Sequence, residues 1–448
     1  MRTRRAALPA LLWLLGSQGF AAPDQVGRTE IAKWQDGKRA AVSLTYDDGS
    51  INQFRVAVPI MDALGLPATF FIITGNVSGS KYHGAFIGRP TEAIVRESAT
   101  IPTNRQNLFE RASAIGYLGF EGTLSYHSRA GDVYEEGQVE DACRLIDQAY
   151  AKVRGGAFER NATPDASENP GGVVTWEDLG ALARRGHEIA SHTVTHPRLA
   201  VLDEPNLVYE LEKSRQEILD HLGRKHTFSV ECPYGTEDER AVKYALERFP
   251  VSRNRMPEPF LDEINRSSDR DPAASTKPYV QWQRGALTKT PMTLMKSWVE
   301  TVAAHDDMWL VLVFHGVDGI GWEPKTGAEL KEYFEFIKSR DDRLWVATFQ
   351  DAAKYLRERA HARVEASRSG DAIRVTLTHD LEDARYDLPL TLETSVPSDW
   401  PAAEVRQGAR AWRVEPVRHG SVAAVLYPAA PNAEPIVLTR AESSRQVE

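Results

Sequence analysis

The sequence has few cysteines and no excess of positive charge. Only Cys143 and Cys232 occur among 448 residues, too few for a disulfide framework or a thiolate zinc site. The two could form one disulfide, but we expect both to be buried as small apolar residues. The net charge is −9, which argues against nucleic acid or an anionic membrane as a partner.

Long apolar runs are also scarce, and the one near the N-terminus, residues 6–16, is too short to span a bilayer. Positive charge before such a run and small residues after it are typical of a secretory signal. Here those residues are Arg2, Arg4, Arg5, Gly19 and Ala21. We therefore predict a signal peptide over residues 1–21, a secreted or periplasmic location, and no stable membrane insertion.

In the rest of the chain, the periodicity of the apolar residues changes once. Residues 30–360 alternate short apolar runs with helical stretches, which predicts an α/β fold with a parallel sheet or barrel. Residues 79–172 are an insertion with helical patterns, the clearest at 138–153. Residues 362–448 alternate with a period of two, which predicts a small all-β, sandwich-like domain, read as a structural appendage or a glycan-binding unit.

The segment Thr45-Tyr46-Asp47-Asp48-Gly49 follows the apolar run 40–44. Asp-Asp-Gly often only closes a loop, but at a strand end both carboxylates project from the same edge of the sheet. Adjacent carboxylates repel each other unless a cation holds one of them. A metal on Asp48 would keep that group ionised and leave Asp47 to accept a proton.

Two histidines four residues apart, His192 and His196, are candidate metal ligands. They could face one side of a helical turn, or lie in a tight turn, because Pro197 disfavours helix at His196. Neutral imidazoles suit zinc, cobalt or nickel. The alternative is a pair of surface histidines before a proline turn.

His315 ends the apolar run 309–314. A polar group at the end of a buried barrel strand more often faces the active end than the core, although a satisfied core histidine is the alternative. His187 begins a strand, at the opposite face, while His83 and His127 could reach the site from the insertion. Together the segments supply one carboxylate and two imidazoles for a metal, and a second carboxylate and imidazole for base and acid.

These segments resemble the polysaccharide deacetylase family, carbohydrate esterase family 4, also called the NodB-homology domain. The resemblance covers about residues 40–73, 174–250 and 309–356, and is most specific over 176–192. It implies a distorted (β/α) barrel that removes acetyl groups from sugars with a divalent metal. Zn²⁺ is the expected cofactor, with Co²⁺ or Ni²⁺ as alternatives.

The resemblance also implies roles for single residues. Cys232-Pro233-Tyr234-Gly235 resembles the family's Arg-x-Pro-Tyr segment, in which the Tyr234 backbone N–H would help to hold an oxyanion. The implied base is Asp47, the implied acid is His315, and the implied metal ligands are Asp48, His192 and His196. The aspartate that usually pairs with the catalytic histidine is not identifiable in the sequence.

One position departs from the family pattern. Glu231 stands where the family has an arginine that steadies the base, and a glutamate beside Asp47 would raise its pKa. We therefore expect Glu231 to point away and an arginine from elsewhere to replace the missing cation. The candidates are Arg253, Arg255, Arg266 and Arg284.

The sequence thus predicts a secreted metal-dependent hydrolase that removes N-acetyl groups from a polysaccharide or oligosaccharide. One alternative is an O-acetyl esterase on acetylated glycans such as xylan. Another is a non-catalytic secreted glycan-binding protein, which only Glu231 favours. We expect the insertion to shape the substrate cleft, and three tryptophans are candidates for stacking on sugar rings: Trp282, Trp298 and Trp322.

Overall fold

The computed structural model describes most of the chain after the predicted signal peptide. The described residues are 26–160, 173–236, 238–257, 261–266, 271–419 and 422–442. The predicted signal peptide, residues 1–21, lies outside them. None of the helices in these ranges has the length and apolar character that a membrane span requires.

Strands and α-helices are interspersed up to residue 361, and among the described residues only strands follow. The strands are β1 (Thr29–Ile31), β2 (Ala40–Tyr46), β3 (Ala68–Ile72), β4 (Glu188–Ser191), β5 (Ser229–Val230), β6 (Val251–Ser252), β7 (Glu263–Asn265), β8 (Val280–Gly285), β9 (Met308–Phe314), β10 (Leu344–Val346), β11 (Arg363–Ser369), β12 (Ala372–Thr378), β13 (Leu390–Val396), β14 (Ala402–Gln407), β15 (Arg410–Val414), β16 (Val417–His419), β17 (Val422–Ala429) and β18 (Ile436–Ala441). The α-helices are α1 (Val58–Leu64), α2 (Thr91–Glu97), α3 (Leu108–Gly116), α4 (Thr123–Glu135), α5 (Val139–Arg154), α6 (Trp176–Arg184), α7 (Glu204–Leu222), α8 (Glu239–Leu246), α9 (Met292–Ala304), α10 (Gly327–Lys338) and α11 (Phe349–His361).

Nine parallel strands form the sheet that carries the candidate site. Their order is β6-β5-β4-β3-β2-β9-β8-β7, and β10 pairs with β2. Strand β9 is almost continuously apolar because both of its faces are covered: Leu310 and Leu312 pack into one core cluster, while Trp309 and Val311 pack into another. The predicted α/β class with a distorted (β/α) barrel is confirmed.

Helices α2 to α5 lie in the insertion and have an apolar core of their own. Ile94, Ile115 and Ile146 are fully buried in it. The predicted helical pattern at residues 138–153 corresponds to α5. Cys143 joins this core, whereas Cys232 packs elsewhere, and both cysteines are buried and free.

The C-terminal strands form two antiparallel sheets with a shared core. Their orders are β1-β13-β17-β16 and β11-β12-β18-β14-β15, and Val375, Leu392 and Val425 are among the buried residues between them. The predicted sandwich-like unit is therefore present. Its first strand comes from the N-terminus, since Glu30 pairs with Glu393. A three-residue strand has too little periodicity to be read from sequence, and the domain boundaries stay predictions.

Candidate active site

The candidate residues follow strands whose carboxyl ends meet at one edge of the parallel sheet. The two aspartates follow β2, the histidine pair follows β4, and the third histidine follows β9. The parallel neighbours β9, β2, β3 and β4 are hydrogen-bonded in that order. The structure thus brings together the residues that the sequence singled out: Asp47, Asp48, His192, His196 and His315.

Three of these residues are spaced as metal ligands. The Nε2 atoms of His192 and His196 lie 3.7 and 3.6 Å from Oδ1 of Asp48. Two metal–ligand bonds of about 2.1 Å at a tetrahedral angle place the ligand atoms about 3.4 Å apart. Within the described ranges, this is the only such group of three or more His, Cys, Asp or Glu side chains. The residues therefore fit a divalent ion.

Burial and hydrogen bonding prepare the imidazoles for that role. His192 Nδ1 donates to the carbonyl oxygen of Glu231 at 2.8 Å, which turns Nε2 toward Asp48. Burial lowers the pKa of His192 to about 4, and burial and the neighbouring His192 lower the pKa of His196 to about 3. Both rings are therefore neutral at pH 7, the form that binds metals.

The environment of Asp48, the carboxylate of this three-residue group, also favours a bound cation. Burial, followed by the adjacent charge of Asp47, raises the pKa of Asp48 to about 7. A divalent ion at this place would supply the positive charge that keeps Asp48 ionised. The donor set therefore fits a metal in its electrostatics as well as in its spacing.

The segment from His192 to His196 is a turn and not a helix, so of the two conformations left open the structure has the turn. Thr193 and His196 have φ values of 67° and 60°, in the left-handed region that residues with a Cβ rarely adopt. A glycine on the facing loop permits the close approach, because a Cβ on Gly75 would lie 2.5 Å from the carbonyl oxygen of Val194.

The cation beside Asp47 is Arg253, one of the four predicted candidates. Its Nη1 and Nη2 atoms donate to Oδ1 and Oδ2 of Asp47 at 2.7 and 2.6 Å. Burial raises the pKa of Asp47, but Arg253 outweighs burial and holds that pKa well below its usual value. Arg253 follows the short strand β6 as Asp47 follows β2, but Arg266 follows β7 in the same way, so the strand-end rule alone could not select it.

The prediction that Glu231 points away is wrong. Its Oε1 lies 3.2 Å from Nη2 of Arg253 and accepts a hydrogen bond from Nδ2 of Asn254 at 2.6 Å. Glu231 follows β5 and faces the same cavity as Asp47, and a guanidinium has enough N–H groups for two carboxylates. Burial raises the pKa of Glu231 to about 7, although Arg253 lowers it.

His315 lies on the other side of Asp47. Its Nε2 is 3.6 Å from Oδ2 of Asp47, and its Nδ1 is buried without a hydrogen-bond partner in the part of the chain described. Gln53, which the sequence did not mark, donates through Nε2 to the carbonyl oxygens of Asp47 (2.5 Å) and His315 (2.8 Å). One amide thus ties the ends of β2 and β9 together.

Two exposed aromatic rings flank the site. Tyr234 is 46% exposed with its ring centroid 4.6 Å from that of His196, and Trp322 is 57% exposed with its ring 4.5 Å from that of His315. Both line a cavity of about 760 Å³ that contains all five candidate polar residues. Of the predicted stacking tryptophans, only Trp322 is placed for that role, because Trp282 and Trp298 are buried in the core.

The three other histidines weighed from the sequence, His187, His83 and His127, do not join the metal group. His187 directly precedes β4, as the sequence predicted, and its Nε2 is hydrogen-bonded to Asp62. His83 Nδ1 bonds the carbonyl oxygen of Gly75. His127 is buried against α3.

A sequence profile of the polysaccharide deacetylase family matches residues 35–103 and 126–248. The chain contains a polysaccharide deacetylase domain. The predicted resemblance to this family is thereby confirmed. Asp47, Asp48, His192, His196 and Tyr234 of the deacetylase domain lie inside the matched ranges, whereas His315 and Arg253 lie beyond them.

Individual relatives of the deacetylase domain are distant. A gellan lyase from Bacillus sp is 27% identical over 234 residues, which are 49% of this chain but only 9% of the gellan lyase. A putative polysaccharide deacetylase from Mycobacterium smegmatis is 15% identical (TM-score 0.38), with 74% of this chain and 95% of that chain covered. A family 4 carbohydrate esterase from Streptomyces lividans, in complex with acetate, is 12% identical (TM-score 0.29), with 68% and 91% covered. These values are too low to carry an argument about function.

Proposed function

We propose that the deacetylase domain is a metal-dependent hydrolase that removes N-acetyl groups from a polysaccharide or oligosaccharide. The observation that carries this proposal is the place of Asp47 and His315. Their side chains lie 3.6 Å apart beside the Asp48–His192–His196 group. A base and an acid next to a metal are what amide hydrolysis requires.

Asp48, His192 and His196 would hold the ion, for which Zn²⁺ is the first choice and Co²⁺ or Ni²⁺ the alternatives. When bound, the ion acidifies a water molecule and polarises the acetyl carbonyl. Asp47 takes the proton of the attacking water, and Arg253 keeps Asp47 ionised for that task. The backbone N–H of Tyr234 donates to the oxyanion, and one such donor is typically worth about 3 kcal/mol.

His315 completes the reaction by giving a proton to the departing nitrogen. An amine is a poor leaving group unless it is protonated, so amide cleavage depends on this acid. Nε2 of His315, on the Asp47 side, is the atom that would carry the proton. The 760 Å³ cavity has room for sugar units, with Tyr234 and Trp322 as walls.

Hydrolysis of O-acetyl esters is a second candidate, and one observation favours it. Nδ1 of His315 has no partner among the described residues, although members of the resembled family usually pair this histidine with an aspartate. An imidazole without a carboxylate partner is a weaker base in its resting state and less firmly oriented. An ester tolerates this better, because an alkoxide leaves with less help than an amine.

A non-catalytic glycan-binding protein is the least supported candidate. Only Glu231 favoured this candidate, because it stands where the family has an arginine. Arg253 supplies the missing cation through its ion pair with Asp47. We also propose that the protein is exported, on the pattern of its first 21 residues.

An acetate-release screen tests the proposal. Metal-stripped protein is incubated with chitin oligomers, peptidoglycan and acetyl-xylan, with and without added Zn²⁺ or Co²⁺, beside the His192→Ala variant. We expect metal-dependent acetate release from an N-acetylated glycan. Release from acetyl-xylan alone would select the esterase, and release from none of them would contradict both.

A further inference from the structure

The backbone conformation of the loop between His192 and His196 has to be stabilised by contacts with other parts of the chain. Thr193 and His196 both have positive φ, and a non-glycine residue in that region costs about 1 kcal/mol or more. The loop nevertheless has to hold His196 Nε2 within 3.6 Å of Asp48. Contacts that fix the loop backbone therefore bear directly on the metal site.

Glu210, in α7, accepts three hydrogen bonds from this loop and one from Tyr117. Its Oε2 accepts from the backbone N–H groups of Val194 and Thr195, both at 2.8 Å. Its Oε1 accepts from the Thr195 hydroxyl and from the Tyr117 hydroxyl, both at 2.6 Å. The Glu210 side chain is fully buried, and four donors are about as many as one carboxylate can accept. Glu210 touches neither substrate cavity nor metal group.

The Tyr117 hydroxyl that donates to Glu210 belongs to the insertion, because Tyr117 directly follows α3. A second contact of the inserted helices lies on the other flank of the loop. The N–H of Arg198 donates to Nε2 of His127 at 3.0 Å, while Nδ1 of His127 donates to the carbonyl oxygen of Ala112 at 2.8 Å. The ligand loop is thus linked to Tyr117 through Glu210, and the chain just after the loop is bonded directly to His127 of α4.

The described part of the insertion, residues 79–160, does not line the cavity around the candidate metal group. It does contact one wall of that cavity, because Ser128 Oγ lies 3.4 Å from the hydroxyl oxygen of Tyr234. The expectation that the insertion shapes the substrate cleft therefore stays a prediction. Buried polar contacts of the insertion go to the ligand loop and to α7.

We propose that Glu210 is a positioning residue of the metal site, held in place by Tyr117 of the inserted helices. By fixing the N–H groups of Val194 and Thr195, it sets the position of His196 and hence the affinity for the metal. Outer contacts of this kind typically change metal affinity by about 10- to 100-fold when they are removed. The inference rests on the metal site of the proposed function and not on the bond that is hydrolysed.

The test compares zinc affinities of three variants with that of the wild-type protein, by competition with a chromophoric chelator. Glu210→Gln removes the negative charge and puts an NH₂ group, which can only donate, in place of one of the two accepting oxygens, and Tyr117→Phe removes one hydroxyl with little change in packing. Ser113→Ala is the matched control: it removes two 2.9 Å hydrogen bonds between α3 and Asp203, just before α7 and away from the loop. We expect the first two to weaken Zn²⁺ binding at least about 10-fold and the control to stay near wild type.

A second readout uses the metal-free protein. The amides of Val194 and Thr195 should exchange hydrogen faster in Glu210→Gln than in wild type, because their acceptor is disturbed. If Glu210→Gln does not fold, Tyr117→Phe decides the question.

Folded variants that bind Zn²⁺ as tightly as wild type would overturn the proposal, as would an equal loss in Ser113→Ala. If the variants lose affinity as expected but zinc-loaded wild type releases no acetate, the proposed function fails and this inference stands.

Discussion

The guanidinium of Arg253 donates to both carboxylate oxygens of Asp47, at 2.7 and 2.6 Å, from the end of a different strand than the family pattern uses. Glu231 occupies the position of the family's arginine and contacts the same guanidinium at 3.2 Å. The positive charge beside the base is therefore kept, although its source has moved from β5 to β6. Two buried carboxylates, those of Asp47 and Glu231, thus contact the same guanidinium.

Replacing Arg253 with Met should make Asp47 a less effective base. Without the cation, burial and the nearby Glu231 raise the pKa of Asp47, so Asp47 is protonated over a wider pH range. The acid limb of the kcat/KM profile should move to higher pH, and activity at pH 7 should fall by about 10²-fold, the contribution typical of a general base. A pH–rate profile checks this.

The double variant Arg253→Met/Glu231→Gln serves as the control. Breaking a buried ion pair from one side costs about 3–5 kcal/mol, so the thermal unfolding of each variant has to be recorded as well. Removing the charge of Glu231 should shift the acid limb part of the way back. An unchanged acid limb in folded Arg253→Met would show that Arg253 does not control Asp47.

His192→Ala and His196→Ala should each abolish stable zinc binding. Each change removes one of the three proposed ligands found among the described residues, and the remaining pair cannot hold the ion against a chelator. Metal analysis of the purified variants after dialysis measures the loss. His83→Ala, which changes an exposed histidine outside the group, should retain the metal; equal metal content in all four proteins would place the zinc elsewhere.

His315→Ala should harm amide cleavage more than ester cleavage. The departing amine needs a proton that His315 supplies, whereas an alkoxide needs it less. Paired N-acetyl and O-acetyl substrates of the same sugar, assayed with wild type and variant, give the two ratios. Equal losses on both substrates would contradict the role of His315 as acid.

Glu358, near the end of α11, offers a test of stability. Burial raises the pKa of Glu358 to about 8; its Oε1 accepts from the backbone N–H of Leu388 at 3.1 Å, while its Oε2 has no hydrogen-bond partner among the described residues. Lys354 lowers and Asp387 raises this pKa to a lesser extent. Since the folded pKa exceeds the unfolded one, wild type should lose stability as pH rises from about 4.5, near the pKa of free glutamate, toward 8.

Glu358→Gln keeps the acceptor for Leu388 and cannot ionise. The variant should therefore match wild type near pH 4 and exceed it at pH 8 by at least about 1.4 kcal/mol, the equivalent of one pKa unit. Urea unfolding at the two pH values measures the difference. The exposed Glu365→Gln should show no such pH-dependent gain, and a gain of the same size at both pH values would refute the explanation.

The strand ends explain why much of the site could be predicted from the sequence. His315 directly follows an apolar run, Asp47 and His192 follow one within three residues, and parallel strands bring such positions to one edge. The choice among four arginines could not be made, because it depends on which strand lies across the cavity. Glu210 could not be found at all, since one glutamate within an ordinary amphipathic helix carries no local signal of its partners.

The pairing of β1 and the contacts of the insertion could not be predicted from the sequence, for a related reason. Thr29–Ile31 pairs with a strand more than 350 residues later in the chain (Thr29 with Thr394), and a non-local pairing of three residues leaves no periodicity. The helices of the insertion were visible as patterns, as α5 shows. Their contacts with the ligand loop, through Tyr117 and His127, come from tertiary packing that no spacing records.

Anomalous diffraction at the zinc absorption edge, from crystals of the metal-loaded protein, tests directly whether Asp48, His192 and His196 hold the ion. We expect one strong peak bonded to Asp48 and to the Nε2 atoms of the two histidines, at about 2.0–2.2 Å from each. A peak bonded to other residues, or no peak in crystals grown with excess Zn²⁺, would contradict it.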